Sequence, residues 1–181
     1  MGMRRVLPEL ESLFTFAEIA IALAGFASLV GVVGTRRGGD HPVLDANRLR
    51  NMVDTSLMVV IFALLPVVPH EFGASDATVW RLCSALYLLA VIAFMLVAKR
   101  RQERLAAKKI RISIWFARLL WVLGITITGT LAAGVIVAPS GRGGAIYSTA
   151  LLLSLVVSCT IFTLVLASIL MPIQIDDQEE S

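Results

Sequence analysis

Between Ala145 and Met171 the chain runs for 27 residues without one charged side chain. Four other apolar stretches precede it, and nearly all the charged clusters fall between them. About 20 apolar residues at 1.5 Å rise cross a 30 Å hydrocarbon core. Such stretches can be buried in lipid, or hidden inside a soluble core large enough to cover them. With 181 residues, 57% of them hydrophobic and 16% charged, there is no such core to hide in, because a small domain leaves much of its surface exposed. The mean hydropathy of +0.84 fits the same conclusion. Most soluble enzymes, DNA-binding modules and disordered regulators are thereby excluded.

Spans are expected near 13–33, 52–69, 79–98, 115–138 and 146–171, interrupted only by Glu18, Asp54, Arg81 and Arg118. Lipid satisfies no backbone N–H or C=O, and the period-two alternation of a barrel strand is absent, so each span is expected to be a helix. The fold class is all-α: a polytopic bundle of five transmembrane helices, with four plus a re-entrant segment as the alternative. One membrane domain covers 1–172, and an acidic tail covers 173–181. The second helix is expected to begin near Asp45 as its N-cap. Glu9, Glu11 and Glu18, together with the length of the first apolar run, argue against a cleaved signal peptide.

Lysine and arginine in short loops set orientation. With five spans, one side receives Arg36, Arg37, Arg48, Arg50, Lys99, Arg100, Arg101, Arg104, Lys108, Lys109, Arg111 and Arg118, which is 12 of the 16 basic residues. The other side holds Arg4, Arg5, Arg81 and Arg142. The expectation is an N-terminus outside and a C-terminus in the cytoplasm. The net charge of +3 then belongs to a basic face against lipid and implies no nucleic-acid partner.

A charge inside a membrane helix costs a few kcal/mol unless it finds a partner or a polar cavity. By depth, Glu18 and Arg81 lie toward the outer face, and Asp54 and Arg118 toward the inner face. Two interhelical ion pairs follow as expectations, Glu18–Arg81 and Asp54–Arg118. Snorkelling to the interface, or pairing of Asp54 with Arg50 one turn earlier, are the local alternatives. Short and flanked by Phe14, Phe16 and Ile19, Glu18 is the first residue to suspect of a working role.

Small and hydroxyl side chains mark expected helix contacts. They are Ala17, Ala20, Ala24, Ala27 and Gly31 in the first span, Thr126, Gly129, Thr130, Ala133 and Gly134 in the fourth, and Ser154 with Ser158 in the fifth. Arg101, Arg104, Lys108 and Arg111 recur on one face of the segment after the third span, where they are expected to meet anionic lipid head groups. The tail residues Asp176, Asp177, Glu179 and Glu180 would be drawn to that basic segment. Cys83 and Cys159 read as inert thiols, with neither disulfide nor zinc spacing. No glycine-rich phosphate loop, His-Glu-x-x-His or Ser-His-Asp set appears, and His41 and His70 fall on opposite sides. No cofactor, no metal and no enzymatic activity are therefore expected.

The run Phe16-Ala17-Glu18-Ile19-Ala20 through Ala24-Gly25-Phe26, with Arg48-x-Arg50 and Phe62-Ala63-Leu64-Leu65-Pro66, resembles a group of small bacterial multi-pass membrane proteins of unknown function. The resemblance covers the first third of the chain. It implies a bacterial inner membrane and directs attention to Glu18 and Pro66. It carries no activity. Three function classes remain: a subunit, sensor or assembly factor acting through helix packing in a homo-oligomer or with a membrane partner; a small oligomeric transporter or channel using Glu18; and, last, a membrane enzyme.

Overall fold

The computed structural model describes residues 3–37, 42–107, 114–137 and 141–170, all of them helical apart from short turns. Six helices follow in order: α1 (Met3–Arg37), α2 (Pro42–Leu64), α3 (Val67–Glu71), α4 (Asp76–Ala107), α5 (Ile114–Val137) and α6 (Gly143–Leu170). Five segments are long and apolar enough to cross a membrane, at Glu11–Val30, Leu49–Glu71, Asp76–Arg104, Arg118–Val137 and Gly143–Leu166. The chain is a multi-pass membrane protein, with five spans among the described residues, the second made of α2 and α3 together.

Pro42 opens α2, which corrects the expectation that Asp45 caps it: Asp45 is the helix's fourth residue. Proline suits the first position, where its missing N–H is not needed and its fixed φ is already helical. The far end of this span is also set by proline. Leu65 N–H still reaches Ile61 O at 3.0 Å, but Pro66 has no N–H to offer Phe62 O, and Pro69 has none for Leu65 O. The Leu65 carbonyl takes Val68 N–H at 3.3 Å instead, and the chain passes into the single turn of α3. Gly73, at φ +75°, ends that turn, with its N–H on His70 O at 2.9 Å and Ala74 N–H on Pro69 O at 3.1 Å. Ser75 then caps α4, its hydroxyl oxygen accepting from Thr78 N–H at 3.4 Å, and Asp76 sits in the first turn where the helix dipole favours it.

α6 is the centre of the bundle. Its buried residues Tyr147, Ala150, Leu151, Ser154, Leu155, Ser158, Ile161 and Val165 step by three and four, which keeps one broad seam turned inward. Against that seam pack α1 and α2 on one side and α5 and α4 on the other. α1 meets α2 and α6 through Leu13 and through Ala17, Ala20 and Ala27, and the small alanine side chains bring backbones close. α4 contributes Val79, Trp80, Cys83, Ser84, Tyr87 and Val91. Large apolar side chains on the other faces, among them Ile21, Phe26, Leu29, Leu89, Leu96, Val122 and Ile125, point away from the bundle. In water such a surface would drive aggregation, whereas in lipid it is the matched surface.

The α5 stripe expected to pack does so only in part. Thr126, Gly129 and Ala133 are exposed, with open space around Gly129, while Gly134 is buried against Ser84 and Ile146. Ile127, Leu131 and Gly134 form the face that α5 turns inward. Thr126 and Thr130 bond back to the carbonyls of Val122 and Thr126, so their hydroxyls need no neighbour.

Candidate functional site

Two polar arrangements stand out in an otherwise apolar bundle. The first repairs the proline break. Phe62 O lacks its helical donor, and the Tyr147 hydroxyl of α6 donates to it from across the bundle. Tyr147 is fully buried, beside Trp80 at 5.7 Å and Tyr87 at 6.0 Å between ring centroids, while Phe62 stacks on Tyr87 at 4.5 Å. Tyr87 donates to Ser154 Oγ at 2.6 Å, and Ser154 donates onward to Ala150 O at 3.0 Å. Four aromatic rings thus join α2, α4 and α6, with both tyrosine hydroxyls satisfied. The sequence expectations include neither tyrosine. Tyr87 lies 11 residues into α4, about 16 Å below its start at 1.5 Å per residue. Tyrosine prefers the membrane interface, so one at that depth signals a hydrogen-bond partner.

The second arrangement lies at the other end of the bundle, where α2 begins and α4 ends. Asn51, Asp54, Thr55 and Met58 share one face of α2 through their three- and four-residue spacing. Arg101 of α4 reaches that face, its Nη1 donating to Asn51 Oδ1 at 3.0 Å and meeting Asp54 Oδ2 at 3.3 Å. Arg50 lies 3.9 Å from the same carboxylate oxygen. With side-chain exposures of 23% for Arg101 and 37% for Asp54, the pair is only partly shielded, worth about 1 kcal/mol at most.

The charges expected to pair by depth are therefore arranged differently. Asp54 takes Arg101 from α4 and Arg50 from its own helix. Arg118 sits exposed at the start of the α5 span and has a partner of its own. Glu18 and Arg81 are both exposed, and neither joins an ion pair with another described residue. The reason is angular: α1 packs on α2 and α6, and α4 on α5 and α6, so equal depth does not bring Glu18 to Arg81. Of the four residues expected at lipid head groups, Arg101 is turned inward onto α2, Arg104 is exposed, and Lys108 and Arg111 lie outside the described residues.

Below the Arg101 cluster α2 and α4 separate, leaving a cleft of about 110 Å³ backed by α5 and α6. Its mouth is polar: Asn51 and Thr55 on one wall, Gln102 on the other, and Trp121, whose indole N–H donates to Gln102 Oε1 at 3.4 Å. Its body is apolar, with Met58, Val91, Phe94, Met95 and Ile127 among its walls. Met95 lies against the bare backbone of Gly124, where a Cβ would meet its Cε at 3.1 Å. The floor is the Tyr87–Ser154 pair. Nothing in this lining resembles a nucleophile with its base, and among the described residues no three His, Cys, Asp or Glu side chains cluster as metal ligands would.

Comparison with protein-family models, with curated proteins and with solved structures finds no match to this chain. Its class rests on its own architecture, a multi-pass helical membrane protein with one inward-facing aromatic cluster and one polar-mouthed cleft.

Proposed function

We propose that this is a non-enzymatic protein of the bacterial inner membrane, working by helix association as a subunit, sensor or assembly factor. In that reading the N-terminus is outside and the basic end of the bundle, with Arg101, faces the cytoplasm. The observation that carries it is Glu18. Its carboxylate lies seven residues beyond Glu11, about 10 Å into the first span, on a face of α1 that its own chain leaves open. A carboxylate facing lipid at that depth costs a few kcal/mol, and a polar or basic group from another helix removes the cost. Glu18 thus supplies a reason to associate. The exposed Thr126, Gly129 and Ala133 on α5 offer a second face on which a foreign helix could approach closely.

The outward position of Glu18 also bears on the transporter alternative. No path inside one copy could be lined by it, so transport would require several copies with their Glu18 carboxylates brought together. Cross-linking in native membranes from Ala22→Cys, an exposed position one turn beyond Glu18 on α1, followed by mass analysis of the product, tests association directly. A product larger than the single chain, lost in Glu18→Leu without loss of folded protein, supports the reading; a cross-link to lipid alone overturns it. Homo-oligomeric product combined with ion flux into proteoliposomes, abolished by Glu18→Gln, would replace it with the transporter. Reporter fusions at residues 40 and 142 test orientation, and a periplasmic signal at residue 40 would reverse it.

A further inference from the structure

The cleft between α2 and α4 has the anatomy of a site for one amphiphilic molecule, and this conclusion does not depend on what associates at Glu18. Along α4 its lining runs from Gln102 at the mouth to Tyr87 at the floor, 15 residues apart or about 22 Å at 1.5 Å per residue. That exceeds half of a 30 Å hydrocarbon core, so the cleft extends from one membrane face past the midplane. Polar groups occur almost entirely at its two ends. Asn51, Thr55, Gln102 and Trp121 ring the mouth, and Tyr87 and Ser154 close the floor, already bonded to each other. Between them the walls are aliphatic side chains, methionines and Phe94. A molecule that fills it must be a long apolar chain carrying a hydrogen-bonding head at the membrane interface.

Charge decides which head. Each wall of the mouth has an arginine beside a lining residue: Arg50 precedes Asn51 on α2, Arg101 precedes Gln102 on α4, and Arg118 stands one turn before Trp121 on α5. Lys99, Arg100 and Arg104 extend the same basic surface along α4, and all three are exposed. Asp54 and Glu103 offset part of it, which leaves a net positive rim of several charges. Arg101 spends Nη1 on Asn51 and Asp54 but has further N–H donors in its guanidinium fork. Planar cationic forks suit phosphate oxygens.

We propose that this cleft seats part of one acyl chain of an anionic phospholipid, the remainder lying along the lipid-facing surface of the bundle, with the phosphate at the Arg101–Gln102–Trp121 rim. The chain fills the space that lets α2 and α4 part, and the head completes a rim whose arginines outnumber its carboxylates. The lipid is a structural component retained by this site, distinct from the shell that wets the outer faces of the bundle.

The test is native mass spectrometry of the full-length protein, purified from membranes in mild detergent and then returned to vesicles of phosphatidylglycerol and phosphatidylethanolamine in equal parts. One phospholipid per chain should remain bound, with phosphatidylglycerol exceeding phosphatidylethanolamine in the bound lipid by at least about 5 to 1, the factor that one head-group charge near a cationic surface is worth. Ala98→Phe and Met58→Phe each put a ring into the cleft from a different wall, and each should lose the bound lipid. Ala93→Phe, on an exposed position of the same helix, should keep it. If one filled variant fails to fold, the other carries the test. Quenching of Trp121 by brominated anionic lipid, in a chain with Trp80→Phe and Trp115→Phe, reads the same contact without filling the cleft. Retention of no lipid by the unaltered chain overturns the proposal. So does equal retention in the cleft-filling variants, or lipid bound in proportion to the vesicle composition.

Discussion

Removing one hydroxyl, in Tyr147→Phe, tests the account of how the second span tolerates its prolines. The ring stays, so the contacts with Trp80 and Tyr87 are kept and only the donation to Phe62 O is lost. That carbonyl is deprived of its helical donor because the residue four positions on is Pro66. In a buried apolar setting an acceptor left without a donor costs about 1–3 kcal/mol. Measured hydrogen bonds between membrane helices are smaller, averaging about 0.6 and reaching about 1.7 kcal/mol. Since no other described group replaces the tyrosine, a loss of about 1.5 kcal/mol is expected, toward the upper end of the membrane range.

Pro66 makes the argument refutable. Its backbone lies at φ −63° and ψ −23°, ordinary helical values, so alanine fits there unstrained and its new N–H points back along the helix toward Phe62 O. In a Pro66→Ala background Tyr147→Phe should therefore cost only a few tenths of a kcal/mol. The coupling energy of the four-member cycle should be about 1 kcal/mol, measured by denaturant unfolding of the purified protein in mixed micelles. Any cavity left by removing the fully buried Pro66 ring cancels in the cycle, since both corners that carry Pro66→Ala contain it. An equal cost of Tyr147→Phe in both backgrounds, within about 0.5 kcal/mol, would show that the hydroxyl does not serve the proline-orphaned carbonyl.

By the same unfolding measurement Tyr87→Phe should cost less, about 0.5 kcal/mol, because Ser154 keeps its bond to Ala150 O when the tyrosine hydroxyl goes. Gly134→Val should destabilise by about 1–3 kcal/mol, since even a Cβ would meet Ser84 Oγ at 3.1 Å and Ile146 Cγ2 at 3.3 Å, whereas Gly129→Val, in open space, should change the stability of the single chain by less than about 0.5 kcal/mol. Reversing the Asp54–Arg101 pair (Asp54→Arg with Arg101→Asp) should recover part of the membrane expression lost in each single variant. The Glu18 and Arg81 reversal should recover none, as their carboxylate and guanidinium form no pair within the chain.

Length and hydropathy carry depth along a membrane normal, which is enough to locate apolar spans. The five spans fall where the apolar runs do, and α4 extends past residue 98 only because the Lys99–Ala107 segment continues it with good helix formers. What hydropathy lacks is azimuth. In a helix apolar on all sides no face is marked, so Thr126 and Gly129 look as suited to packing as Ile127 and Leu131. The Ala17, Ala20 and Ala27 stripe is legible because α1 is interrupted by Glu18 and flanked by large side chains. Its small face therefore has a contrast that α5 lacks.

The same missing angle explains the charge pairing. Arg101 and Arg118 belong to different helices but approach the same end of the bundle, so depth alone cannot choose between them for Asp54. The choice depends on which helix α2 faces across the cleft, a property of how α6 seats its neighbours. Phe62 O shows the opposite case. Its need is readable from Pro66 by counting back four residues, yet the donor stands 85 residues away in sequence. A proline inside a span therefore says that a donor must come from elsewhere in the bundle, and a tyrosine in another apolar helix is a side chain able to supply one. Pairing such prolines with such tyrosines is a rule of polar satisfaction, and it applies wherever lipid denies the backbone water.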